Sequence, residues 1–171
     1  MTIVIIGGGP SGVEIAGALA EMNKYVLLKD YPDFKETRAK NYLIEAVDRV
    51  LSSMSRRSSD KARSFLEKLG IHVLTNTRAT GCDEKTVFLD SEISINTGMI
   101  IWTAAIAGNS IRGLNSDCFT KSGRIKVDSF NKVSGYSNVF ALGDISLETE
   151  GKYPKGLPQV AQVAIQQAQL S

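Results

Sequence analysis

Two hydrophobic rhythms run along this chain. Ile3 to Ile6 is an unbroken apolar run, without the alternation of a strand that has one wet face, and it reads as a parallel strand buried on both sides. After three glycines a helix-forming stretch runs to Met22, in which Ala16, Gly17 and Ala18 would keep the helix thin where it crosses the sheet. Asn23 to Lys40 is polar and irregular, least helical at Tyr31-Pro32-Asp33-Phe34. Connections at this point of an α/β unit are usually a few residues long, so the stretch reads as an insertion, part helix extension and part loop. Asn41 to Ala46 then predicts a short strand that ends in an acid, Glu45. Ser58-Ser59-Asp60 predicts the cap of an amphipathic helix over 61–69. Its inward positions would be Ala62, Phe65, Leu66 and Leu69, and Gly70 would stop it. Ile71 to Leu74 supplies a third parallel strand and completes a βαβαβ unit.

Beyond Thr77 the segments shorten. Thr86 to Leu89 and Glu92 to Ile95, set between Asp, Glu and Ser turn signals, predict a small antiparallel meander. Met99 to Ala105 returns to a buried strand, ending in small residues that leave room for a ligand or for a crossing loop. A loop-rich stretch, Gly108 to Gly123, precedes two expected strands, Arg124 to Asp128 and Val139 to Leu142; the second runs directly into Gly143-Asp144. Pro158 to Leu170 predicts a helix of small residues and glutamines, with Gln162 and Gln166 on one side at i and i+4. No capping residue closes that helix, so the chain reads as cut there.

Composition adds little. The 171 residues suit one domain, or one domain and part of another, and 43% of them are apolar and 22% charged. A net charge of +2 with no basic stripe among aromatics argues against nucleic acid; Arg56-Arg57 with Lys61 and Arg63 reads as a solvated helix start. Cys82 and Cys118 are far apart, and with a single histidine, His72, they form neither a redox pair nor a metal site. They read as free thiols, and His72 as structural or exposed. No apolar run approaches the roughly 20 residues of a membrane span. Met1 is followed directly by the first strand, so no signal peptide is expected.

The glycines carry the chemistry. Gly7, Gly9 and Gly12 stand at G-x-G-x-x-G spacing between a buried strand and a small-residue helix. In that context the first glycine permits a tight turn, the second admits a pyrophosphate and the third packs helix on strand. Free N–H groups at the start of the helix, with its positive dipole end behind them, would hold phosphate charge, so the candidate residues are Gly7, Gly8, Gly9, Pro10, Ser11 and Gly12. An acid at the end of the second strand is placed to accept hydrogen bonds from an adenosine ribose and to repel a 2′-phosphate, so Glu45 argues for NAD over NADP. A plain surface acid is the other reading of Glu45.

Together these stretches resemble the type II NADH dehydrogenases, single-subunit flavin NADH:quinone oxidoreductases of the two-dinucleotide-binding-domain flavoprotein class. The likeness rests on Gly-Gly-Gly-Pro-Ser-Gly-Val-Glu (7 to 14), Lys29-Asp30-Tyr31-Pro32-Asp33, Leu43-Ile44-Glu45-Ala46 and Asn76-Thr77-Arg78. It continues in Ile101-Trp102-Thr103-Ala104-Ala105, Val139 to Asp144, Tyr153-Pro154 and Pro158 to Gln162, with the Ala-Gln-x-Ala-x-Gln helix (161 to 166) among its more specific parts. The implied fold class is α/β: a Rossmann-like NAD-binding domain over 1–108, with a parallel sheet and a small meander, and over 109–171 an incomplete C-terminal part of the FAD-binding domain. In that family the NAD domain is inserted into the flavin domain, so the resemblance implies a fragment whose parent carries more chain on both sides.

By the same resemblance Gly7 to Gly12 would bind the NAD pyrophosphate, Glu45 and Ala46 the adenosine ribose, and Ala79 the adenine side. Ala104 and Ala105 would lie near the nicotinamide, although the family commonly has glycine where Ala105 stands. Glu14 matches a glutamate near the nicotinamide–flavin contact; the helix dipole acting on a first-turn acid is its structural alternative. Gly143 and Asp144 would hold the FAD ribitol, and Gln162 and Gln166 would face flavin and quinone. The intact enzyme would pass a hydride from NADH to flavin and electrons on to a quinone at the inner face of a membrane, as a cytoplasmic peripheral protein. The fragment alone would bind NAD(H) without turnover, and apolar surface left bare makes a homodimer compatible with it. Two other readings stand: a flavoprotein reductase of the same class with a disulfide, ferredoxin or peroxide acceptor, and a stand-alone NAD-binding module.

Overall fold

The computed structural model describes residues 1–31, 40–90, 92–104, 106–149 and 156–170. The chain divides into two compact units, Met1–Ala105 and Ile106–Ser171.

In the first unit four parallel strands form a sheet: β1 (Thr2–Ile6), β2 (Lys40–Ile44), β3 (Ile71–Leu74) and β7 (Met99–Trp102), in the order β3-β2-β1-β7. The apolar run of β1 is explained by two cores. Ile3 and Ile5 point to one face, where they meet Leu43, Val50, Ala16 and Ala20 of α1 (Pro10–Glu21) and Leu66 of α3 (Arg56–Lys68). Val4 and Ile6 point to the other, against Val87 and Leu89 of a three-stranded meander. Helices cover one face and the meander the other, which leaves β1 no polar side.

The meander has an unforeseen strand. β4 (Ala79–Cys82), β5 (Thr86–Leu89) and β6 (Ser94–Asn96) pair antiparallel in that order. Glu92, expected in the last of these, has φ +58° and belongs to the preceding turn, a left-handed conformation that a strand cannot hold.

Several boundaries differ from expectation. Helix α3 starts earlier: Ser55 is its extended N-cap and accepts the Ser58 N–H at 3.2 Å. Ser59, expected in the cap, is buried and donates to the Val50 carbonyl at 2.5 Å. Phe65 is 66% exposed and does not join the core, because Ala62, Leu66 and Leu69 already complete the inward stripe; the Lys68 ammonium lies 5.8 Å from its ring. On α1 the buried small residues are Gly12, Ala16 and Ala20, while Ala18 faces solvent. The stretch from Asn23 begins with the expected helix extension, which runs to Asp30. A π-helical segment, Met22–Leu27, continues α1 into α2 (Leu28–Asp30), whereas Pro32, Asp33 and Phe34 lie outside the described residues. His72 stacks on Tyr42, ring centroids 4.9 Å apart.

In the second unit β8 (Ile125–Val127) pairs parallel with β9 (Ser146–Glu148), over a core of Cys118, Ile125, Val127, Val133 and Ala141. Val139 to Leu142 is not the strand that its apolar character suggests. Its backbone bonds run to a tight hairpin, Val133 N–H to Val139 O at 2.9 Å and Ala141 N–H to Asn131 O at 3.0 Å, with a single bridge at Phe140 and no ladder beyond it. Helix α4 (Ala161–Leu170) begins three residues later than its apolar pattern, past Pro158.

Leu43 is fully buried between helices and sheet, so Leu43→Ala should cost about 2–5 kcal/mol in urea unfolding of the first unit. Phe65→Ala should stay within about 0.5 kcal/mol; an equal loss from both would contradict the placement of the core.

Candidate dinucleotide site

The site begins with backbone, not with side chains. At the end of β1 the chain turns through Gly7 at φ +109°, where a Cβ would stand 2.8 Å from Ala104 N and from Thr103 Oγ1. Gly12 is tighter still, since a Cβ there would lie 1.8 Å from the Gly7 carbonyl oxygen. Gly9 is the opposite case: it is the N-cap of α1 and has open space in place of a side chain. One glycine therefore serves the turn, one the helix–strand contact and one an approach from outside. Pro10 opens α1, and no side chain caps the helix start, so its dipole and backbone donors are available to an anion.

Three neighbouring segments hold the loop in place. Gly7 N–H donates to Ile44 O (2.8 Å), and Leu51 N–H donates to Gly8 O (2.7 Å). Thr103 Oγ1 sits 2.9 Å from Ile6 O and 3.2 Å from Gly7 O. Glu45 supplies the remaining tie: its Oε2 accepts the Gly8 N–H at 2.6 Å and its Oε1 the Val47 N–H at 3.0 Å. Each carboxylate oxygen has a further lone pair, so the group can accept from a ligand hydroxyl while it holds the loop. All of this lies at the carboxyl ends of β1, β2 and β7. There the strand order reverses on either side of β1, the place where open α/β sheets bind ligands.

The other expected residues are placed as follows. Ser11 and Ala46 are exposed beside the loop, and Ala104 is half-buried against it. Ala79 opens β4 and packs on the meander-side core. Glu14 is exposed on α1 and lies beyond the first turn, which contains no acid, so the helix-dipole account of it does not apply. Ala105, Tyr153 and Pro154 lie outside the described residues. Sequence reasoning missed Thr103 and Leu51 as loop holders. The available signal for Thr103 was a hydroxyl closing an apolar strand; Leu51, at φ +49°, gave none.

In the second unit Gly143 (φ +72°) and Asp144 form a 3-10 turn with Ile145, and the Asp144 carboxylate is exposed. Burial pushes the Arg124 guanidinium down from its ordinary value, and the Asp144 charge partly offsets this; Arg124 also donates to the Ser146 carbonyl. Gln162 and Gln166 are exposed on α4, whereas Gln167, which sequence reasoning passed over, is the buried one.

The chain belongs to the pyridine nucleotide-disulphide oxidoreductase family, whose family model matches residues 1–168. It is 30% identical over 176 aligned positions to the type II NADH:quinone oxidoreductase Ndh of Mycobacterium tuberculosis, covering 98% of this chain and 37% of that protein. The type II NADH:quinone oxidoreductase of Staphylococcus aureus is 29% identical, over 99% of this chain and 42% of that one. The chain thus spans well under half the length of these relatives. Among solved structures, NDH2 from Plasmodium falciparum in complex with NADH matches with a TM-score of 0.76 at 22% identity, over 86% of this chain and 32% of that one. Over that part of the chain the two structures share a fold.

Two glycine variants separate fold from binding. Gly12→Ala forces backbone apart and should abolish cooperative unfolding of the first unit. Gly9→Ala, which meets no atom, should keep the melting transition and weaken binding of an adenine dinucleotide by about tenfold, from crowding at the phosphates. A Gly9→Ala chain that binds like wild type would remove the loop from the site.

Proposed function

We propose that this chain is the NAD(H)-binding part of a flavin-dependent NADH dehydrogenase, its first unit binding the nicotinamide dinucleotide and its second unit forming a returning part of the flavin domain. The observation that carries the reading is the helix start at Gly9, open and without a side-chain cap, with the Glu45 carboxylate at its rim. A pyrophosphate fits the open backbone donors, and a ribose diol fits the remaining lone pairs of Glu45. The names of the relatives support NADH as the electron donor and a quinone as the acceptor. FAD, when bound in the whole protein, supplies hydride acceptance and the onward passage of electrons.

In this reading the residues of the chain bind and orient. The Gly7–Gly12 loop holds the diphosphate, and Glu45 and Ala46 select the unphosphorylated ribose. Ala79 borders the adenine, and Ala104 with Ala105 leaves the nicotinamide face uncrowded. Glu14 stands near the nicotinamide–flavin contact, Gly143 and Asp144 hold the flavin ribitol, and Gln162 and Gln166 face flavin and quinone. No described helix is long and apolar enough to cross a membrane. The whole protein would meet its quinone at a membrane surface from the cytoplasmic side, and the chain by itself would pair as a homodimer through apolar surface left bare.

Titration of the purified chain with NADH and NADPH, followed by nucleotide fluorescence, tests the reading. NADH should bind without being consumed, and NADPH should bind about tenfold more weakly or worse, the scale of one repulsive charge contact in place of a charged hydrogen bond. Glu45→Gln should narrow that ratio. Preference for NADPH, or an unchanged ratio in Glu45→Gln, would refute the assigned role of Glu45.

A further inference from the structure

Helix α4 is anchored to the second unit by a polar side chain. Among its residues only Gln167 is buried, at 4% exposure. Its Oε1 accepts the Gly143 N–H at 2.8 Å, and its Nε2 donates to Ser146 Oγ at 3.0 Å. Ser146 Oγ in turn donates to the Gly143 carbonyl at 2.9 Å. The backbone carbonyl of Gln167 accepts from Asn131 Nδ2 at 3.1 Å, and Asn131 is itself buried with φ +61°. Both the N–H and the C=O of Gly143 are therefore fixed through one amide and the hydroxyl it touches. The next residue is Asp144, whose carbonyl accepts from Gln159 Nε2 at 3.0 Å while its carboxylate stays in solvent.

From this we infer that Gln167 is a positioning residue for the flavin site: it clamps the Gly143 turn and thereby aims the Asp144 carboxylate at the ribitol. This rests on the reading of the second unit as part of a flavin domain. An amide suits the task because the turn offers a donor at Gly143 and a donor–acceptor at Ser146. A carboxylate could accept the first but could not donate to the second, and a thioether is a weak acceptor and no donor. Inside a buried network each lost partner leaves an unsatisfied group, so the clamp acts as a unit. Gln162 and Gln166, on the exposed side of the same helix, take no part in it.

The test has two arms. In the 171-residue chain, amide hydrogen exchange at Gly143 is measured relative to Val127 in β8, in wild type, Gln167→Met and Gln167→Glu. Gln167→Met should raise the ratio about tenfold or more, the effect of losing one buried acceptor, and Gln167→Glu should restore most of the protection. A ratio that stays constant, whether nothing loosens or the whole unit loosens together, overturns the clamp, as does equal exposure in both variants. In the second arm, release of FAD from the full-length flavin-loaded protein is followed by flavin fluorescence. Gln167→Met and Asp144→Asn should both speed release, with Gln167→Glu intermediate and NADH affinity unchanged. If only Asp144→Asn speeds release, the positioning role fails while the flavin reading stands. If neither does, the reading of Asp144 as a flavin ligand fails, whatever the exchange data show.

Discussion

Helix α1 meets the end of β1 in direct backbone contact: the carbonyl of Gly7 occupies the space in which a side chain at position 12 would begin. That closeness sets the angle at which the helix leaves the sheet. It brings the uncapped helix start over the carboxyl end of the strand, and it forces the intervening turn through a left-handed glycine at position 7. Moving the helix outward by the radius of one methyl group would pull on the loop that the Glu45 carboxylate holds at Gly8 and the Thr103 hydroxyl holds at Gly7. The arrangement tolerates only hydrogen at position 12, and the proposed dinucleotide site depends on that tolerance.

The sheet supplies the rigidity behind this contact. With helices on one face and the meander on the other, successive residues of β1 enter different cores, and each strand end emerges at a defined point on the carboxyl edge. Glu45, one residue past β2, and Thr103, one past β7, then reach the glycine loop from opposite sides. A slip of one residue in either pairing would turn these side chains toward the wrong face. Burial of Leu43 and Ile5 thus acts on chemistry at a distance, by fixing register.

The second unit uses a different kind of order. Its apolar core is small, and the Gly143-Asp144 turn is held by amides and hydroxyls from Gln167, Gln159, Ser146 and Asn131. Such a network favours one geometry strongly, because every partner left unsatisfied in a buried place costs free energy. The same feature explains the exposed Asp144: its backbone is tied from both sides while its carboxylate remains in solvent.

The sequence by itself determined the parallel strands β1, β2, β3 and β7, the glycine loop, the helix that follows it and the acid beside it. These are local matters, since apolar runs, glycine spacing and strand-end position carry their meaning within a few residues. The resemblance to flavin NADH dehydrogenases was legible for the same reason, in short motifs spread along the chain. Tertiary structure decided what depends on partners far away in the chain. Phe65 fits the apolar pattern of its helix but finds its place in the core already filled. Val139 to Leu142 reads as a strand, yet its backbone bonds are spent in a hairpin with residues 131–133. Of four glutamines on one helix, the buried one is Gln167, whose side chain reaches the Gly143 N–H of a turn 24 residues earlier. Periodicity can state which side of an element is apolar, but not which neighbour occupies the space next to it; that is settled when the elements pack.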